Sequence, residues 1–140
     1  MFEFQTIEKP IEDILMKEKG SKFIGFAFPV NSESDIKDSL NQLKSIHPKA
    51  THHCYAYRLG INGENYRAND DGEPSGSAGL PIYNQLLAHQ ITNVLVVVIR
   101  YYGGTKLGWG LRSSLATGVI VMTVCAGLVN LFILIPLYAL

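Results

Sequence analysis

Cysteine is scarce. The chain carries only Cys54 and Cys125, without paired spacing, which argues against a disulfide scaffold and a four-ligand zinc site and leaves reduced thiols in a cytoplasm as the simplest reading. Net charge is absent as well: 12 basic side chains stand against 12 acidic ones. No global positive field of the kind that packages DNA exists, and any nucleic-acid site has to be local. The opening MFEFQTIEKP has no apolar run after a basic start, so it does not read as a secretory signal, and a cytoplasmic location is expected. No glycine-rich string ends in a phosphate-loop lysine or has dinucleotide-binding spacing, and no serine sits in a nucleophile elbow. Nucleotide-dependent and covalent catalysis are unsupported.

Charge also disappears along the chain. None of the 28 residues from Ser113 to Leu140 is charged, a run longer than the ~20 residues that span a bilayer. With Arg100, Lys106 and Arg112 ahead of it as a flank, a tail-anchored membrane protein is one alternative. Gly118, Gly127, Asn130 and Pro136 break the run into a helix-like part and the extended LFILIPLYAL. That division suits packing better than spanning, and the expected outlet for the apolar tail is a homodimer. Acids stop still earlier, at Glu73, so residues 74–140 hold three cations and no carboxylate side chain.

What is present suffices for one domain. At 140 residues, 47% of them hydrophobic, the chain can bury a core but has little room for a second. ILMKEKGSKFIGFAFPV reads as a hairpin turning at Gly20 and Ser21. Ile36, Leu40, Leu43 and Ile46 recur at helical spacing between a capping Ser32 and Pro48. HHCYAYRL alternates as a strand and should pair with NYRAND across Asn62 and Gly63. PIYNQLLAHQ reads as a helix, NVLVVVIRYY as a strand covered on both faces, and the residues from about Gly110 to Gly127 as a further helix. This order predicts an α+β fold. The expected layout is a mixed sheet with helices on one side, residues 1–127 forming the domain and 128–140 an apolar tail.

Two segments concentrate residues that chemistry or binding would use. DDGEPSGSAG places Asp70, Asp71 and Glu73 beside Gly72, Pro74, Gly76 and Gly79, a density of carboxylates and free backbone that plain connections seldom need. Such acids can hold a hard cation or exchange protons, or simply form Asx turns with nearby N–H groups. The following helix start can also accept an anion. The adjacent His52, His53 and Cys54 alternate across a strand and cannot converge on one metal, although one histidine can pair with Asp70 or Asp71. The second segment, RYYGGTKLGWGLR, joins cations, aromatics and glycines just beyond a buried strand, the mixture that lets phosphates approach while bases stack.

HHCYAYR, DDGEPSGSAGLP and RYYGGTKLG together closely resemble the signature of the IMPACT family, the YigZ-like group found in bacteria and eukaryotes, and KGSKFIGFAFPV and HPKATHHC extend the likeness over most of residues 8 to 108. The resemblance implies an α+β N-terminal domain of ribosomal-protein type, related in shape to a domain of elongation factor G. It implies translation regulation, as in eukaryotic relatives that compete for the ribosome-associated activator of the starvation kinase. By similarity, the signature falls on Asp70, Asp71, Gly72, Glu73, Pro74, Gly76, Gly79, Arg100, Tyr101, Tyr102, Gly103, Gly104, Lys106, Leu107 and Gly108. The pattern departs at Trp109, where relatives continue with a second glycine pair, and a local change of reading frame would account for it. Bacterial relatives also add a ferredoxin-like second domain, of which LFILIPLYAL would be the first strand.

The expectation is a translation-linked regulatory or binding protein that contacts RNA, the ribosome or a ribosome-associated protein. Its binding residues would be those of the signature, with no metal and no cofactor. The alternative is a divalent-metal-dependent hydrolase built on the acidic loop. The binding reading requires the acidic loop and the RYYGG turn to meet in space.

Overall fold

The computed structural model describes residues 6–18, 20–73 and 75–102. Five strands and two helices follow in the order β1 (Ile11–Glu18), β2 (Ser21–Pro29), α1 (Glu33–Ile46), β3 (His52–Leu59), β4 (Asn65–Asn69), α2 (Gly79–Ala88) and β5 (Val94–Tyr101). The α+β class holds. Gly20, at φ 82°, turns the β1–β2 hairpin, and Ser32 caps α1 by accepting from the Asp35 N–H at 3.2 Å. β3 and β4 pair as expected. The charge-free run, Cys125, the residues expected as a further helix and the apolar tail all lie outside the described residues. Among the described residues no helix is long and apolar enough to cross a membrane.

The sheet runs β1-β2-β5-β3-β4, and every pairing in it is antiparallel. The expected mixed sheet is corrected here. β2 and β3, joined through α1, do run parallel, but β5 enters between them and is antiparallel to both. Its residues Val94 to Arg100 are all buried, as befits a β-branched central strand.

The helices also lie on opposite faces rather than on one side. Val94, Val96 and Val98 pack with Ile82 and Leu86 of α2, while Leu95, Val97 and Ile99 pack with Ile36 and Leu43 of α1. A strand apolar on both faces needs a cover on each, and one helix cannot supply both. Alternation along β5 then assigns Arg100 to the α2 face and Tyr101 to the α1 face. Buried Arg58 on β3 fastens the end of α2, donating from Nη1 to the Ile91 carbonyl at 2.9 Å.

Candidate functional site

One row across the sheet positions the site. Phe23 of β2 and His52 of β3 both lie opposite Arg100 of β5, so their three side chains share the α2 face. The loop joining β4 to α2 covers this row. Arg100 Nη1 donates to Glu73 Oε1 at 2.7 Å, with the two side chains only 7% and 6% exposed. The guanidinium also stands 5.5 Å from the centre of the Phe23 ring and 5.8 Å from that of Tyr102. The two segments remote in the chain therefore meet.

Each acid of the loop has its own partners. The Asp70 carboxylate accepts from the backbone N–H groups of Gly76, Ala78 and Gly79 at 2.9, 3.1 and 2.8 Å. Ala78 gives α2 no side-chain cap, so Asp70 takes that role from upstream, with its charge at the positive end of the helix. The anion expected at this helix start is supplied by the chain itself. Asp71, in left-handed backbone at φ 44°, accepts from the His53 N–H at 2.7 Å. The β3–β4 pairing reaches only to Tyr55 and Asn69, so this carboxylate stands in for a strand carbonyl one step beyond.

Shorter contacts fasten the turn. Asn69 Oδ1 accepts from the Asp71 N–H at 2.8 Å, an Asx turn. The Asp71 carbonyl lies 2.6 Å from His52 Nδ1, and the Asp70 carbonyl accepts from Cys54 Sγ at 3.1 Å. Gly72 is needed for its φ of 90°, and Gly79 for space, because a Cβ there would collide with the backbone nitrogen of Asn69. Burial first, then Glu73 and the two aspartates, pushes the Cys54 thiol well above its ordinary pKa, so it is no nucleophile.

These commitments decide what the acids can do. Among the described residues no three His, Cys, Asp or Glu side chains come together as a metal-holding group. Asp70 is bound to backbone and Glu73 to Arg100, while the Asp71 side chain stays 43% exposed. Arg100 is not the solvent-facing cation that a phosphate would meet, being 6% exposed and already paired. Tyr101 is turned away from the loop, its hydroxyl 2.6 Å from His47 Nδ1 and its ring under Lys22.

His52 and Cys54 share one face and His53 the other, as alternation requires. The His53 ring lies 4.0 Å from Asp71 Oδ2. Burial holds its pKa below 6.5, a shift that Asp71 opposes and Lys44 reinforces.

The structure thus brings together Asp70, Asp71, Gly72, Glu73, Gly76, Gly79, Arg100 and Tyr102, while Pro74, Gly103, Gly104, Lys106, Leu107 and Gly108 lie outside the described residues. Sequence reasoning missed Asn69 and Thr51. Asn69 had a local signal, since Asn followed by two aspartates is a turn string. Thr51 had none: it receives the Tyr102 N–H on Oγ1 at 3.1 Å and donates its own N–H to the Arg100 carbonyl at 2.8 Å, across strands distant in sequence.

Comparison with known proteins agrees with this architecture. The family described as the Impact N-terminal domain matches residues 19–119. The chain is 40% identical over 105 residues to the IMPACT family member YvyE of Bacillus subtilis, covering 75% of this chain and 48% of that protein. It is 36% identical over 94 residues to YigZ of Escherichia coli, covering 66% and 46%. It spans about half the length of these curated relatives. A crystal structure of a hypothetical protein superposes with TM-score 0.79 at 31% identity, over 84% of this chain and 57% of that one. The two-domain translational regulator Yih1 superposes with TM-score 0.54 at 24% identity, over 92% and 49%, a likeness of fold.

Proposed function

Since the chain belongs to the IMPACT family, we propose that it is a translation-linked binding module, acting in the cytoplasm through a macromolecular partner of the translation apparatus rather than by chemistry of its own. The observation that carries the reading is the 2.7 Å junction between Glu73 and Arg100. It locks the loop on the end of β5 and leaves Asp71, Gly72, Ser75, Gly76 and Tyr102 exposed beside one another on a braced backbone. A loop braced by this many internal hydrogen bonds loses little conformational freedom on docking, which suits a binding surface. The fold shared with Yih1, described as a translational regulator, supports the same direction.

Sedimentation tests the reading. The full chain, mixed with purified ribosomes at low salt, is expected to co-migrate with them, and Tyr102→Ala and Ser75→Arg to reduce the co-migrating fraction several-fold. Absence of co-migration at every salt concentration rejects it.

A further inference from the structure

Helix α1 leaves a groove on each side where it crosses the sheet, and the two are unlike. Toward β1, Glu12 and Asp13 stand over Phe26 and Phe28. Toward β3 and β4, a larger groove of about 340 Å³ has Lys37 and Lys44 on its helical wall and Arg67 on the strand side. The two lysines are two helical turns apart, roughly 10 Å along the axis. Arg67 lies opposite Tyr57 in the β3–β4 register, hence on the α1 face. A chain with no net charge has concentrated cations here.

One acid, Glu33, shares the groove with these three cations. All three cations are exposed, and among the described residues none makes an ion pair. Glu33 accepts from Asn65 Nδ2 on Oε1 at 3.0 Å and keeps its charge, so three cations face one carboxylate around the groove. Like charges around a narrow space repel, and an anion between them relieves the repulsion.

The lining narrows the class of anion. Half-buried Tyr55 and buried Tyr57 contribute aromatic surface, and the amide of Asn41 adds a donor and an acceptor. Burial, then Glu33, holds the Tyr57 hydroxyl above its ordinary pKa. Inorganic phosphate would use the cations and leave the rings idle. An acidic homopolymer such as polyglutamate would do the same. Nucleotide units use all three features, with phosphates on the cations, a base against a ring and base edges on the amide.

We propose that the groove between α1 and β3–β4 binds single-stranded RNA, with backbone phosphates on Lys37, Lys44 and Arg67 and a base against Tyr55. The assignment deepens the translation-linked reading and rests on it for the choice of RNA, but it uses a surface separate from the loop over Arg100.

The test is fluorescence anisotropy of a labelled short oligouridylate with the full chain across a salt series. Three phosphate contacts on a single strand give a slope of about −2 in log affinity against log salt, and Lys37→Ala or Lys44→Ala should each reduce its magnitude by about 0.7. Tyr55→Ala should weaken binding by about tenfold with the slope unchanged, and Tyr55→Phe should restore it. Wild-type affinity and slope in the double variant Lys37→Glu/Lys44→Glu overturn the proposal, as does equal displacement by polyglutamate and unlabelled oligonucleotide. Co-migration with ribosomes by a chain that binds no oligonucleotide overturns the groove and leaves the translation reading standing. Groove-dependent oligonucleotide binding without co-migration does the reverse.

Discussion

Arg100 at the end of β5 and Glu73 in the loop after β4, 27 positions apart in the sequence, form a buried ion pair of 2.7 Å. The pair joins the two halves of the candidate surface. It also gives one of the segment's acids a use in holding the loop. Both partners have given up water, so each depends on the other.

Glu73→Ala should therefore cost about 3–5 kcal/mol, because it leaves a guanidinium buried without a carboxylate. Glu73→Leu/Arg100→Met should recover much of that loss, since two apolar side chains incur no charge burial. Urea unfolding followed by circular dichroism measures both. A single variant within about 1 kcal/mol of wild type would show that the pair does not matter.

Asp70 acts as a cap for a helix it does not belong to, accepting from three backbone N–H groups. Asp70→Ala should lower stability by about 2 kcal/mol, near the top of the range for helix caps. Asp70→Asn, which keeps one carbonyl oxygen, should lose less. Amide exchange at Gly76, Ala78 and Gly79 reads the effect locally, and unchanged protection there would contradict the capping role.

Two glycines of the same loop should fail for different reasons. Gly79→Ala places a Cβ into the Asn69 backbone, an overpacking that should cost about 1–3 kcal/mol. Gly76 has open space but a φ of 76°, so Gly76→Ala should cost about 1–2 kcal/mol and Gly76→Asn less than Gly76→Ala. Equal melting temperatures for Gly76→Ala and Gly76→Asn would remove the conformational argument.

His53 should make stability depend on pH. Its pKa in the folded chain is held below the ordinary 6.5, first by burial, against the pull of Asp71 and with Lys44 adding to the lowering. Between the lowered value and 6.5 the unfolded chain binds more protons, so stability rises with pH through that window, is lost as the solution is acidified through it, and levels off below the lowered value. His53→Gln should flatten this part of the curve. A wild-type curve that is level through the window, or an unchanged slope in the variant, would rule out His53 as its source.

Local chemistry alone marked the β1–β2 hairpin at Gly20, the Ser32 cap, the helical spacing of Ile36 and Leu43, and the continuous apolar run of β5, because turn, cap and periodicity signals reside within a few residues of one another. The same reasoning singled out residues 70–79 and 100–112 as unusual. It did not show that β5 enters between β2 and β3, that the helices divide between the faces, or that Arg100 faces Glu73 while Tyr101 turns toward His47. Those outcomes depend on which strands pair, and a one-residue change of register would exchange the faces of Arg100 and Tyr101. The cationic groove had a faint trace in the spacing of Lys37 and Lys44, but Arg67 and Tyr55 join it only when β4 folds against β3. Residue chemistry is a property of the string, whereas the neutralising partner of each charge is chosen by the packing of distant segments.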